Sequence, residues 1–486
     1  MAEIHRGTWI RPTKLELLTD WMGSQRWYAA KGSVPRLELL SAWRLGDPAG
    51  AVGIETLIVL DRGGPEPIVY QVPLSYRGAP LAGADAALVG SMEHGVLGPR
   101  WVYDATHDPV YARALLDLIL GVASAESSSQ SEALDPRYVG QRAATWTEEV
   151  TVVGSRVLSG EQSNTSIILD TVDGAGAEHS LIVKVFRMLA GGDNPDVVLQ
   201  SALRVAGCDR VPEVIGSVRG SWPTPAGAVG AGTADTSTGE HPAYGHLAFA
   251  QEFLPGVEDA WRVALRLARD GVSAGAGSRT LGRATAEVHR TLAAALGTTP
   301  TSAETVARII AGMRSRYAAA AAVVPELAEL AGPVAALLDA AREATWPDLQ
   351  RIHGDFHLGQ VLRSPDRGWI LLDFEGEPLR PLAERTVPDQ WLRDVAGMLR
   401  SFDYAGGSIE HDGGGSTREW VAEAQGSFLD GYAEIAANPR DYGAVLAAYE
   451  IDKAMYEVVY ETRNRPDWLE IPLGAIRRLT AMEDQT

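Results

Sequence analysis

Apolar and polar positions alternate along this chain in two rhythms, which divide it into a strand-rich front and a helix-rich back. Short apolar runs bounded by turn formers, Val52–Leu60, Ile68–Val72, Val150–Leu158, Thr165–Leu169, Leu181–Phe186 and Leu247–Leu254, read as strands. A helix is expected around Leu15–Met22, and from Trp261 onward helical spacing dominates, interrupted by one further strand-like run at Trp369–Leu372. The Ser-rich segment Ala123–Ala133 lacks periodic apolar positions and reads as a boundary or mobile loop. The small and polar residues of Thr224–Pro242 read as a disordered insertion. These breaks give three parts: an α+β unit at residues 1–140, a small antiparallel lobe at 141–255 and a helical lobe at 256–486. The most apolar segments, Ala114–Ala123 and Ala318–Ala340, are too short or too interrupted by proline and glutamate to span a bilayer, and are expected as core helices.

The chemistry concentrates in Arg351–Glu377, RIHGDFHLGQVLRSPDRGWILLDFEGE. Asp355 follows His353-Gly354 on a polar loop, Gln360 comes five residues later, and Asp373 ends the apolar run. Phosphoryl transfer to a hydroxyl needs a carboxylate to meet the attacking oxygen, and oxygen ligands to hold magnesium between nucleotide phosphates. Asp355 fits the first role, Gln360 and Asp373 the second. Upstream, Ser159–Ser166 (SGEQSNTS) is a polar turn between two strands, where Ser163 and Asn164 can offer hydroxyl, amide and backbone N–H groups to phosphates. Lys184 interrupts the apolar strand LIVKVFR and is the candidate phosphate lysine. Its acidic partner is not obvious, because NPDVVLQSAL has Val198 where a carboxylate is expected, so Asp196 or a more distant acid must serve. Backbone groups around Gln251, Glu252 and Phe253 are candidates for adenine recognition. The ordered set predicts a bilobal, protein-kinase-like α+β fold using ATP and Mg2+, with the chemistry in the cleft between lobes.

On the acceptor side, Tyr449–Trp468 is expected as one amphipathic helix. Glu450, Lys453, Glu457, Tyr460, Glu461 and Asn464 share a face opposite Ile451, Met455, Val458 and Thr462. Carboxylates, lysine and tyrosine hydrogen-bond sugar hydroxyls, and an aromatic packs on a sugar's apolar side. Glu450, Asp452, Lys453, Tyr456, Glu457, Tyr460 and Trp468 are therefore the acceptor candidates, whereas Asp394 is expected to stabilise the scaffold.

Composition narrows the partners. A net charge of −20, from 43 basic and 63 acidic residues, disfavours nucleic acid and anionic membranes. Cys208 is the lone cysteine, which excludes an intrachain disulfide and suits a cytoplasmic setting. The first residues carry no basic stretch followed by a long apolar core, so no signal peptide is expected.

With these residues in view, the chain resembles the actinobacterial maltokinase family of capped, aminoglycoside-phosphotransferase-like kinases. The resemblance runs nearly end to end. It is carried by QRWYAAKG at Gln25–Gly32, EQSNTS at Glu161–Ser166, KVFR at Lys184–Arg187, NPD at Asn194–Asp196 and HGDFHLGQVLR at His353–Arg363. It continues through LLDFEGEP at Leu371–Pro378, LRDVAGMLRSFDYA at Leu392–Ala405 and YEIDKAMYEVVYETRNRPDW at Tyr449–Trp468. The resemblance implies phosphorylation of maltose to maltose 1-phosphate for α-glucan synthesis, with Asp355 as base, Gln360 and Asp373 as metal ligands and Lys184 on the phosphates. Actinobacterial glucosamine kinases share the scaffold and are the alternative, with glucosamine 6-phosphate as product. The glycine-poor phosphate loop and Val198 also leave open a sugar- or nucleotide-sensing pseudokinase.

Overall fold

A computed structural model describes residues 8–130, 133–158, 163–224, 242–378 and 380–481. The turn residues 159–162 and the insertion at 225–241 lie outside the described residues. The chain forms two compact units, one of Met1–Ser201, Glu213–Pro255 and Pro381–Glu384, the other of Ala202–Pro212, Gly256–Arg380 and Arg385–Thr486. Among the described residues no helix is long and apolar enough to cross a membrane.

The first unit is built on two antiparallel sheets. The larger runs in the order Ile10–Arg11, Leu88–His94, Gly98–Asp104, Ile68–Arg77, Val52–Asp61, Leu37–Leu45, Glu126–Ser127. Helix α1, Lys14–Met22, starts at a capping box in which Thr13 and Glu16 satisfy each other's backbone N–H groups. Helix α2, Pro109–Ile119, starts on Asp108, whose carboxylate caps Val110 N and takes a two-pronged ion pair from Arg77 at 2.7 and 2.6 Å. The Ser-rich segment is not a free boundary. Glu126 and Ser127 pair with the edge strand Leu37–Leu45, and Ser128 donates to Ala42 O, so local polarity is outweighed by an available sheet edge.

The second sheet runs Tyr138–Arg142, Val214–Trp222, Ala243–Glu252, Glu178–Phe186, Asn164–Asp173, Val150–Val157. One apolar core serves both sheets: Trp43, Ile58 and Leu60 from the first belong to the same buried cluster as Leu115 and Ile119 of α2 and Ile167, Val183 and Phe249 of the second. The change near residue 140 is therefore a change of sheet inside a shared core. Polar links reinforce it. Arg187, fully buried, donates to Asp104 at 2.6 Å, to Thr106 at 3.1 Å and to Thr165 at 2.8 Å, and its guanidinium lies 4.9 Å from the Trp27 ring centre. Gln71 donates to the carbonyls of Phe186 and Leu247. Helix α3, Pro195–Val205, follows the second sheet's central strands.

The second unit is helical: α4 Ala260–Arg269, α5 Gly275–Leu296, α6 Ala303–Val323, α7 Ala331–Glu343, α8 Leu392–His411, α9 Arg418–Ala433, α10 Gly443–Asn464 and α11 Glu470–Ala481. Helices α5 and α9 cross so closely that a Cβ on Gly431 would stand 1.9 Å from Arg279 O. A small sheet of Glu258–Asp259, Val361–Ser364 and Gly368–Leu371 contains the strand-like run expected at Trp369–Leu372, paired in a hairpin with Val361–Ser364. The tail helix differs from expectation. It starts earlier, at Gly443, and ends at Asn464, after which Pro466–Trp468 forms a separate 3-10 turn, because Pro466 removes a backbone donor and disfavours helical geometry at Arg465.

Removing the buried guanidinium strands Asp104 as an uncompensated charge, which typically costs about 3–5 kcal/mol. We expect Arg187→Met to lower unfolding stability by that order in urea titration, whereas Arg156→Met, at an exposed pair with Asp170, leaves the midpoint nearly unchanged.

Candidate active site

Within the first unit, the register Ser166 to Lys184 to Phe249 sets Lys184 in mid-sheet, 7% exposed. Its Nζ lies 2.8 Å from Asp196 Oδ2, and Asp196 is fully buried at the start of α3. The missing acid is therefore Asp196. Asn194 Oδ1 accepts from its backbone N–H at 2.8 Å, and Gln200 donates to its other oxygen at 2.6 Å, which leaves the carboxylate fixed toward the lysine. Asn164 opens the neighbouring strand and Ser163 is half-buried beside it; the remainder of that turn, residues 159–162, lies outside the described residues. At the end of Ala243–Glu252, Glu252 N donates to Glu213 O and Phe253 N to Ser180 O, both at 2.8 Å. These two donors serve the sheet and are not free for adenine. Gln251 is buried in mid-register opposite Ile182 and Val214.

In the second unit, the hairpin brings Gln360 and Asp373 together. Val361 pairs with Leu371, Leu372 N donates to Gln360 O at 2.9 Å, and Gln360 Nε2 donates to Asp373 Oδ2 at 3.0 Å. Asp373 takes a left-handed backbone, φ 62°, which turns the chain sharply out of the strand. The pair supplies hard oxygen donors of the kind magnesium takes, since the amide bond leaves Gln360 Oε1 available.

Asp355 sits on a loop held by α8. The 1%-exposed Asp394 accepts from His353 N at 2.8 Å, Gly354 N at 2.9 Å and His289 Nε2 at 3.1 Å. Burial pushes its carboxyl up, but the His289 hydrogen bond, the charges of both histidines and the Gly354 N–H outweigh this and hold it below the usual range. His353 Nε2 donates to Leu372 O at 2.7 Å, tying the loop to the strand that ends at Asp373, and its ring packs on buried Phe374 at 4.6 Å. Gly397 of α8 lets Phe356 approach: a Cβ there would meet Phe356 O at 2.5 Å.

Helix α10 completes the cluster. Lys453 Nζ lies 3.3 Å from both Asp355 Oδ1 and Glu377 Oε1, and 5.2 Å from the Tyr456 ring centre. Burial lowers the lysine's proton affinity, yet Asp355, Glu377 and Glu457 raise it further, so the ammonium stays charged. Glu377 in turn pairs with Arg393 at 2.8 Å and Arg380 at 3.3 Å. Tyr456 and Tyr460 are exposed and stacked at 6.5 Å.

Of the other acceptor candidates, Asp452, Glu457 and Trp468 are engaged elsewhere. Asp452 is clamped by Arg316 at 2.6 and 2.9 Å, and Glu457 by Arg400 at 3.0 and 2.7 Å. Glu461, expected on the open face, is buried and takes Tyr404 and Arg465. Trp468 packs on His411 and Arg465. Sequence reasoning missed Glu377 and Arg393, although the acid two residues after Glu375 in DFEGEP was a signal.

Comparison with known proteins fits this geometry. Residues 21–108 match the maltokinase N-terminal cap domain, and residues 235–445 the phosphotransferase enzyme family. A glucosamine kinase of Streptacidiphilus jiangxiensis is 32% identical over 249 residues, covering 46% of this chain but only 56% of that protein. A glucosamine kinase of Mycolicibacterium smegmatis is 28% identical over 362 residues, covering 68% of this chain and 80% of its own. The solved structure of a glucosamine kinase in complex with glucosamine, ADP and inorganic phosphate superposes with a TM-score of 0.65 at 24% identity, covering 97% of this chain and 99% of that one. A second crystal form of glucosamine kinase gives 0.67 at 24% identity, covering 98% and 100%. The chain has an aminoglycoside-phosphotransferase-like α+β fold with a maltokinase-type N-terminal cap.

One titration is accessible. Burial, reinforced by Asp403, pushes Glu450 up to about 8. A folded-state value above the unfolded one means stability is complete below the unfolded value and lost as pH rises through about 8. We expect wild-type stability to fall between acidic pH and pH 8 relative to Glu450→Gln, read as diverging melting temperatures in a pH series.

Proposed function

We propose that this chain, which joins a maltokinase-type cap to a phosphotransferase-family domain, is an ATP- and magnesium-dependent sugar kinase whose acceptor is glucosamine. The observation that carries the kinase reading is the hairpin and loop cluster of Asp355, Lys453, Glu377, Gln360 and Asp373. Lys184, fixed by Asp196, would take nucleotide phosphates. Gln360 and Asp373 would hold magnesium, which when bound neutralises phosphate charge. Asp355 orients the attacking hydroxyl and accepts its proton at a carboxylate oxygen. Lys453 keeps Asp355 in place, and Tyr456 with Tyr460 offers an aromatic wall to the sugar ring. Most of the rate would come from positioning and preset charge.

The names of both curated relatives support the amino sugar. So does the pair of carboxylates Asp355 and Glu377, which already share the Lys453 ammonium at 3.3 Å each and suit a second one. Maltose, the acceptor favoured by the sequence, remains the second reading because the cap match and the tail motif both point to maltokinases. A sensing pseudokinase loses one of its two motives, since Asp196 supplies the acid that Val198 does not.

A coupled ADP-release assay across glucosamine, maltose, glucose and an aminoglycoside, with products mapped by NMR, tests the assignment. We expect glucosamine 6-phosphate as the preferred product. Maltose 1-phosphate would replace the acceptor while keeping the chemistry, and no sugar-dependent ADP release would favour the sensor. In the same assay, folded Asp355→Asn should lose at least about a hundredfold in turnover, the lower end for acid/base groups; near-wild-type turnover refutes the role.

A further inference from the structure

The hairpin that carries Gln360 and Asp373 at one end carries a cationic cavity at the other. A cavity of about 440 Å³ is lined by Arg210, Arg283, Arg363, Glu287, Thr280, Ser364 and Trp369. Three guanidinium groups face one carboxylate, in a chain whose net charge is −20. Arg210 is committed: it donates to Glu287 at 2.6 Å and to Arg367 O at 2.7 Å. The other two keep capacity. Arg283 touches Glu434 at 3.2 Å through one of its five N–H donors, and Arg363 stacks 5.6 Å over Trp369. Thr280 is occupied with the Trp369 indole N–H, which holds the wall rigid. Ser364 accepts weakly from Arg367 N at 3.4 Å.

We propose that this cavity binds a phosphomonoester dianion of sugar-phosphate size. Arginine forks match phosphate oxygens, and the stacked Arg363 is presented in a fixed plane. The volume lies within the range of about 300–1,000 Å³ typical of small-molecule sites and exceeds the needs of a bare anion. The location gives occupancy a consequence. Ser364 pairs with Gly368 at the turn, four residues from Gln360, so the cavity sits about 14 Å along the hairpin from the metal pair. The same hairpin is anchored by Leu371 N to Arg210 O at 2.8 Å. A dianion bridging Arg283 of α5 and Arg363 of the hairpin clamps the turn to the helix.

Isothermal titration with glucose 6-phosphate and, separately, inorganic phosphate, at constant ionic strength, tests binding. Wild type should bind glucose 6-phosphate saturably and more tightly than inorganic phosphate, and amides of residues 361–371 should gain hydrogen-exchange protection. The Arg283→Ala/Arg363→Ala double variant should bind at least about tenfold more weakly, the loss expected for charge-assisted hydrogen bonds, with KM for ATP unchanged. Arg363→Gln alone, at an exposed side chain, provides a variant with little risk to folding. Equal binding by wild type and variants, or heats that follow ionic strength alone, overturns the site. Inorganic phosphate binding as tightly as the ester overturns the ester in favour of the free ion.

Discussion

The buried carboxylate of Asp394 is the constraint on which the geometry of the second unit's candidate site depends. A charge at 1% exposure is tolerated only when its oxygens are filled, and here two consecutive backbone N–H groups and a histidine fill them. Those backbone groups belong to His353 and Gly354, so satisfying Asp394 and shaping the loop before Asp355 are one event. His353 extends the constraint through Leu372 O, one residue before Asp373. His289 extends it the other way, to Tyr432 at 2.9 Å. A single buried acid thus couples α5, α8, α9, the Asp355 loop and the strand that leads to Asp373.

In the first unit, Arg187 plays a comparable part. It lies three residues beyond Lys184 at the end of the same strand, and its partners Asp104 and Thr106 come from the cap. The shared apolar core alone would let the two sheets slide, because dispersion and burial are non-directional. The arginine's fork is directional, and with Gln71 on the carbonyls of Phe186 and Leu247 it sets the cap against the strand that bears Lys184.

Sequence periodicity located the strands around Lys184 and the Trp369–Leu372 run because a period of two is visible within five residues, whereas contacts between distant segments are not. The spacing of Asp355, Gln360 and Asp373 was legible because one short segment carries all three, a loop followed directly by a hairpin. Asp196 was legible only as a remainder, since helix position alone does not say which acid points at a strand. Glu126–Ser127 was read as loop because a two-residue edge strand has no period, and its partner strand lies some eighty residues earlier. Glu461 was misplaced for a different reason. An ideal wheel divides α10 into two faces, but this helix packs against α6, α7, α8 and α11, so hydrogen-bonding partners, not polarity, decide what is buried.

That crowding explains how α10 brings a charged lysine to Asp355. Lys453 alone among carboxylates would be one cation facing several acids; Arg400 takes Glu457, Arg393 and Arg380 take part of Glu377, and Arg316 takes Asp452. Each arginine removes a competitor for the ammonium, and Arg400 and Arg316 each also fix one turn of the helix. What remains is a lysine shared between Asp355 and Glu377 at equal distances of 3.3 Å, with two exposed tyrosines one and two turns further along. The arginines therefore do structural work so that the short list of unclamped groups, Asp355, Lys453, Tyr456 and Tyr460, can meet a ligand. On the proposed sugar-kinase reading, selectivity would follow from that residue set: an ammonium would compete with Lys453 for the two carboxylates, whereas a neutral disaccharide would rely on hydroxyl contacts and the aromatic wall.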